Sequence, residues 1–180
     1  MGMSNLAINT RADLAKYFAQ LGFKVGAEIG VLAGAYAMVL CEAIPRLKYY
    51  GIDSWYVGGK MKNHAHRGKY EQAKKNLAPY DATLIRKLSM DAVKDFEDSS
   101  LDFVYIDGNH QFDYVVADII EWTKKVKKGG IVSGHDYVTA NKCGVIPAVN
   151  GYIQAHKLRL NLTTDTTENI TWWFVKRWNT

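Results

Sequence analysis

Cysteine is scarce in this chain: Cys41 and Cys143 are the two present, far apart and in neither a metal-binding nor a redox spacing. A reducing compartment and small-hydrophobe roles follow, and no disulfide is expected. No apolar run approaches the ~20 residues that a membrane-spanning helix needs. The opening Met-Gly-Met-Ser-Asn-Leu lacks the basic and apolar regions of a secretion signal, and Leu6 stands where a myristoylation signal wants Ser or Thr. A cytoplasmic location with no membrane partner is therefore expected, and the sequons at Asn161 and Asn169 read as chance matches. Also missing are an arginine-rich arm, a zinc-finger spacing and an RNA-binding signature, so no nucleic-acid partner is expected despite a net charge of +5. The densest positive cluster, Lys124, Lys125, Lys127 and Lys128, closes a predicted helix, where cations complement the dipole. Internal repeats, low-complexity segments and an interdomain linker are absent as well.

What is present fits one α/β domain. The chain has 180 residues, 48% of them hydrophobic and 23% charged, which is ordinary globular composition with enough length to bury a core. Residues 1–180 read as a single domain in which 1–23 contribute a flanking helix, capped by Thr10 and running over Arg11 to Gln20. The organising stretch is Val25-Gly26-Ala27-Glu28-Ile29-Gly30-Val31-Leu32-Ala33-Gly34: a buried strand ending near an acid, a glycine-bearing turn, then a helix over Ala35 to Ile44. Further strands are expected at Tyr49 to Asp53, Thr83 to Lys87, Leu101 to Asp107 and Ile131 to Ser133. Helices are expected between them, at Gly68 to Leu77, Met90 to Phe96 and Phe112 to Lys125. Such alternation implies parallel strands with helices on both faces. The tail differs: a helix over Val145 to His156 is followed by two β-rich stretches, Leu158 to Thr164 and Ile170 to Arg177, that flank turn-forming residues and predict an antiparallel hairpin. Within it Trp172 and Trp173 must place one ring on each face of the sheet.

Glu28, Asp53, Asp107 and Asp136 all fall at predicted strand ends, where ligands bind to open α/β sheets. Acids gathered there would repel one another unless a cationic ligand, a metal ion or hydrogen-bond donors sit among them. Asp53 ends the second strand, where a carboxylate can accept from both hydroxyls of a ribose, and Trp55 beyond it offers either a face for adenine or simple packing. A phosphate-cradling glycine loop with a lysine is missing, which argues against ATP and GTP. The spacing Glu-x-Gly-x-x-x-Gly likewise departs from the dinucleotide fingerprint Gly-x-Gly-x-x-Gly. In the long polar segment Ser54 to Arg67, His64 and His66 read as part of a lid rather than as metal ligands. Tyr137 reads equally as a hydroxyl donor to an acceptor site or as packing.

Over about residues 24 to 177 these motifs resemble the class I S-adenosylmethionine-dependent methyltransferases. The alternating units and final hairpin are similar to that family's doubly wound, mostly parallel seven-stranded sheet with its C-terminal antiparallel strand. Glu28-Ile29-Gly30 through Gly34 looks like the family's first motif, which implies contacts to the methionine part of the cofactor. Leu32 departs from it, standing where many members have another glycine. Asp53 looks like the ribose-binding acid, and Ser89-Met90-Asp91 falls where members commonly contact adenine. The segment Leu101 to His110, with Gly129-Gly130-Ile131 and Gly134-His135-Asp136-Tyr137, resembles small macrocin-type and catechol-type O-methyltransferases. In metal-dependent relatives acids after the fourth and fifth strands hold magnesium, which implies Asp107 and Asp136 here. His135 departs from that pattern, and since imidazole suits zinc, iron or nickel better, the use and identity of a divalent metal stay open.

Methyl transfer from a sulfonium requires an acceptor held in line and a proton acceptor. Asp107, His110 and His135 are the candidate catalytic residues. His110 is favoured as base because the loop after the fourth strand lies beside the methyl donor in the family, and capping of the following helix is its competing role. The resulting expectation is a cytoplasmic methyltransferase acting on an oxygen of a small molecule or sugar. Its acceptor surface would come from loops 54–67, 108–112 and 137–146 or from a partner subunit, which leaves room for a homo-oligomer. The rivals are a catalytically silent S-adenosylmethionine-binding subunit and an NAD(P)-dependent oxidoreductase on a similar sheet.

Overall fold

In the computed structural model, which describes residues 7–55, 68–139, 143–165, 167 and 169–179, the chain opens with helix α1 (Arg11–Gln20), strand β1 (Val25–Ile29), α2 (Ala35–Ala43) and β2 (Lys48–Asp53). It continues through α3 (Lys69–Leu77), β3 (Ala82–Arg86), α4 (Ser89–Ala92), a 3-10 turn at Val93–Asp95, β4 (Leu101–Ile106) and α5 (Phe112–Lys125). The last elements are β5 (Val126–Gly134), α6 (Val145–Ala155), β6 (Asn161–Leu162) and β7 (Trp172–Val175). They build the expected seven-stranded sheet, ordered β3-β2-β1-β4-β5-β7-β6. The pairs among β1 to β5 are parallel, and β7 runs antiparallel to β5 and to β6.

The two-residue side-chain period of a strand sorts the core into two layers. On β4, Phe103 and Tyr105 face the layer that holds Leu14, Phe18 and Leu40 from α1 and α2, whereas Val104 and Ile106 face Val115, Ile119 and Trp122 of α5. Trp173 joins the first layer and Trp172 the second, as the strand period requires. Helix α1 begins with a reciprocal cap: the Asp13 N–H donates to Thr10 Oγ1 at 3.1 Å while Asp13 Oδ2 accepts from the Thr10 N–H at 3.2 Å. Cys41 and Cys143 are both free thiols.

β5 departs from expectation by starting at Val126 instead of Ile131. Its pairing with β4 jumps from Leu101↔Val126 to Phe103↔Ile131, so the β5 side carries a bulge between the two registers. Gly129 and Gly130 lie in that bulge, where Gly129 takes φ +84° and donates its N–H to the Lys176 carbonyl at 2.8 Å. The Lys176 side chain is fully buried and its Nζ donates to the Val126 carbonyl at 2.7 Å, answering an oxygen just past the end of α5.

The tightest packing lies where Gly26 of β1 passes under Phe103, whose ring would sit 2.1 Å from a Cβ at residue 26 and stacks on Phe18 at 4.5 Å. Phe103→Ala should lower the unfolding free energy by about 3–5 kcal/mol in a urea titration. Gly26→Ala should cost markedly less in the Phe103→Ala background than in the wild type, because the ring it strikes is gone. Additive costs in that double-mutant cycle would contradict this packing account.

A candidate active site at the strand ends

β1 and β4 are parallel neighbours, and the chain leaves β1 toward β2 on one side while β4 leads to β5 on the other. The strand order therefore reverses between them, and a cavity of about 700 Å³ opens at their carboxyl ends. Gly30, Asp53, Ser89, Asp107, His110 and Asp118 are among its lining residues.

The turn after β1 touches the turn after β4. Gly30 takes φ +92°, and a Cβ there would lie 2.0 Å from the Asp107 carbonyl oxygen, so only glycine fits. The pairing is continued by the Gly30 N–H to the Ile52 carbonyl at 2.8 Å and the Asp107 N–H to the Ile29 carbonyl at 2.7 Å. Leu32, the flagged departure from the family motif, holds φ +51° and leaves its side chain 43% exposed, so a residue with a Cβ occupies the left-handed conformation that glycine favours. Gly34 caps α2 and is not among the cavity-lining residues.

Asp53 organises this turn. Its Oδ2 accepts from the Val31 and Leu32 N–H groups at 3.1 and 2.9 Å, and its Oδ1 accepts from the Trp55 N–H at 2.8 Å. Those bonds orient the carboxylate at the cavity wall, so Asp53 has a structural role that its strand-end position alone did not reveal. Trp55 is packed, 5% exposed, with Nε1 donating to the Leu32 carbonyl at 2.8 Å and its ring centred 4.9 Å from Tyr70. Of its two readings the structure shows the packing one. His64 and His66 lie outside the described residues.

Glu28 points away from the cavity into the core. It is 2% exposed and accepts from the Tyr49 hydroxyl at 2.6 Å, and burial raises its carboxyl to about 8, with Tyr49 opposing and Asp107 adding to the rise. At neutral pH this strand-end acid is largely protonated.

Asp107, His110 and Asp136 converge at the other end of the rim, with one ligand atom from each lying within 4.8 Å of the others. His110 Nε2 stands 3.4 Å from Asp107 Oδ1 and 3.0 Å from Asp136 Oδ2, yet this buried nitrogen has no aligned hydrogen-bond partner. The Asp107 carboxylate facing it, as acceptor, raises the His110 imidazole above its ordinary range, with desolvation opposing and the charges of Asp136 and Asp107 adding to the rise. Asp136, at φ +55°, is held down at about 2, chiefly by a hydrogen bond accepted from His135 and then, against burial, by one from Asn169 Nδ2 and the nearby histidines. His135 is close but stands behind the acids, with Nδ1 3.5 Å from Asp136 Oδ1 and 3.9 Å from Asp107 Oδ2, and it is not among the cavity-lining residues. The helix-capping role considered for His110 is not seen: α5 has Gln111 at its N-cap with no side-chain cap, and Asn109 Oδ1 accepts from the Gln111 N–H at 3.0 Å in the turn before it. Tyr137 donates its hydroxyl to Asn150 Oδ1 at 2.8 Å and so ties its loop to α6.

Two wall residues were missed by sequence reasoning, Asp118 and Tyr114. Ser89 Oγ accepts from Trp122 Nε1 at 2.8 Å and donates to Asp118 Oδ1, while Met90 lines the same wall. Asp118 is 4% exposed, and burial raises it to about 6 against the Ser89 hydrogen bond. The signal was available: Asp118 falls on the buried stripe Val115, Ile119, Trp122 of α5, where a charged residue has no packing reason to be. Asn169, dismissed with its sequon, is the other residue that only the fold connects to the site.

The model of a methyltransferase domain matches residues 27–137, more than half of the chain. An uncharacterized protein of Sinorhizobium fredii is 27% identical over 120 residues, covering 61% of this chain, and the chain spans 12% of that relative's length. Two solved structures share the fold. The O-methyltransferase of Bacillus cereus in complex with SAH superposes with a TM-score of 0.68 at 16% identity, covering 97% of this chain and 83% of that one. The O-methyltransferase TomG of Streptomyces achromogenes, involved in tomaymycin synthesis and solved with SAM, gives 0.69 at 16% identity, again with 97% and 83% covered.

The burial of Glu28 has a pH signature. Its folded pKa of about 8 lies above the ordinary carboxyl value of 4.5, so its contribution to stability is complete below pH 4.5 and lost as pH rises through about 8. Glu28→Gln should remove that loss, so the variant melts above the wild type at pH 9 and converges with it toward pH 5. Parallel melting curves across this range would contradict a protonated, buried Glu28.

Proposed function

This chain belongs to the methyltransferase-domain family as a class I S-adenosylmethionine-dependent methyltransferase, and on that premise we propose that it methylates an oxygen of a small molecule or sugar at the Asp107, His110, Asp136 corner of the cavity. The observation that supports this reading is that Asp53, Asp107 and His110 line one continuous cavity, with Asp136 Oδ2 3.0 Å from His110 Nε2, so a ligand reaching from Asp53 to His110 meets both ends. S-adenosylmethionine, when bound, supplies a methyl carbon already made electrophilic by its sulfonium. Asp53, fixed by three backbone N–H groups, offers its remaining acceptor capacity to the ribose hydroxyls. Gly30 leaves the backbone bare where the methionine portion must approach. Glu28, Gly34 and Trp55 then act behind the site, shaping the first turn and its supports.

The donor set at the corner fits a divalent cation: two carboxylates, an imidazole nitrogen that is buried without an aligned partner, and ligand atoms already grouped. Asp107, His110 and Asp136 would hold the ion, which would supply Lewis acidity to the acceptor oxygens. His135 and Asn169 hold Asp136 from behind. A second reading rests on the ion-pair distances of His110 to both acids: without metal, His110 is the general base that takes the acceptor proton. An acceptor with two adjacent oxygens suits the metal reading, because it can chelate the ion. The antiparallel β7 and the matched family model favour methyl transfer over the oxidoreductase alternative.

Release of S-adenosylhomocysteine across a panel of catechols, phenols and sugars tests the activity, with and without EDTA and with magnesium, manganese or zinc restored. Turnover should fall at least tenfold with EDTA. Asp107→Asn combined with Asp136→Asn should abolish the metal response while S-adenosylhomocysteine affinity stays within a few-fold. EDTA-insensitive turnover that rises with pH through a raised histidine pKa and is lost in His110→Ala would replace the metal by the base reading. Cofactor binding without turnover over the whole panel would favour a silent binding subunit.

A further inference from the structure

Resting on the cofactor reading above, we propose that helix α5 reads the nucleobase: Tyr114 supplies a ring face to adenine, and Asp118 accepts a hydrogen bond from the 6-amino group through Oδ2. The cavity wall beyond Asp53 is built from two segments, Lys87 to Met90 after β3 and Tyr114, Ala117 and Asp118 on α5. Both present large apolar surfaces with little cover, Leu88 at 63% and Tyr114 at 55% exposure. A slot walled this way suits a flat ring, whose faces are apolar and whose edge carries the polar groups.

Asp118 marks where that edge would lie. It is nearly buried yet lines the cavity, and its Oδ1 is engaged by the Ser89 hydroxyl, itself fixed by Trp122 Nε1. Its Oδ2 accepts no hydrogen bond from the described residues, so on this cavity-lining side chain one carboxyl oxygen is open to a donor from a ligand. An exocyclic amine supplies one, whereas a carbonyl at the same ring position would set two acceptors against each other. Asp91, the acid of the Ser89-Met90-Asp91 turn, is not available for this role. Its side chain is 60% exposed, paired with Lys94 at 3.0 Å, and not among the cavity-lining residues. Ser89 therefore serves the base indirectly, by fixing the Asp118 carboxyl.

The test compares two probes by calorimetry on the full chain: S-adenosylhomocysteine and its deaminated analogue S-inosylhomocysteine, which carries a carbonyl in place of the amine. The wild type should prefer the adenine compound by roughly tenfold or more, the range expected for a hydrogen bond to a charged group. Asp118→Asn should bring the ratio toward unity, because an amide can serve either edge. Asp53→Ala should weaken both probes and leave the ratio intact. Tyr114→Ala, at an exposed position, should weaken both by roughly fivefold or more through lost stacking. A ratio unchanged by Asp118→Asn, or a wild type that binds both probes equally, overturns the base-reading role while leaving the cofactor assignment standing. Binding of neither probe by the wild type overturns both. If Asp118→Asn does not melt cooperatively, the wild-type ratio together with Tyr114→Ala decides: a preference below about threefold, or no loss of affinity in Tyr114→Ala, overturns the proposal.

Discussion

The contact on which the site depends is between two pieces of backbone. Gly30 in the turn after β1 rests so close to the Asp107 carbonyl that no side chain fits between them. Because β1 and β4 are parallel neighbours at the point where strand order reverses, this contact fixes the relative height of the two turns. The amides of Val31 and Leu32 then reach Asp53 at the end of β2, and Asp107 is delivered next to His110. The Asp53 end and the His110 end of the cavity thus share one scaffold, built from peptide groups and not from mobile side chains.

The gathering of acids at the strand ends looked like an electrostatic problem, and the structure resolves it by giving each a different partner. Glu28 withdraws into the core and keeps its proton beside Tyr49. Asp53 spends its charge on backbone N–H groups. Asp136 is held ionised by histidines and Asn169, and Asp118 shares a hydrogen with Ser89. Among the described residues, Asp107, His110 and Asp136 form the one cluster of acids and histidines placed to hold a cation. The rim is consequently divided: a corner rich in charge at Asp107, His110 and Asp136, and a more apolar wall that carries the single acid Asp118.

Much of this was legible in the residue order. The two-residue period of Leu101 to Ile106, the Thr10 cap and the opposed rings of Trp172 and Trp173 are local patterns, and local patterns survive into the fold. Of the acids picked by the strand-end rule, Asp53 and Asp107 line the cavity, together with Ser89 and His110 that the family resemblance supplied. What escaped were features set by depth and by contacts between distant segments. Strand position alone cannot say whether an acid such as Glu28 turns toward the cavity or the core. The extension of β5 back through Gly129 and Gly130 was not foreseen because their partner, Lys176, lies far along the chain. Asn169 reaches Asp136 only after the antiparallel strand folds back. Asp118 was visible as a charge on an apolar stripe, but its meaning depends on Ser89 and Trp122 standing beside it.

The account's central claim is that one cavity holds an adenosine-bearing ligand at Asp53 and a divalent ion at Asp107, His110 and Asp136. The most direct measurement is a crystal structure grown with S-adenosylhomocysteine and manganese, using anomalous scattering to locate the metal. The account predicts ribose hydroxyls on the Asp53 carboxylate and an anomalous peak within about 2.0–2.3 Å of ligand atoms from all three corner residues. Nucleoside density elsewhere, or manganese bound only at sites remote from His110, would contradict it.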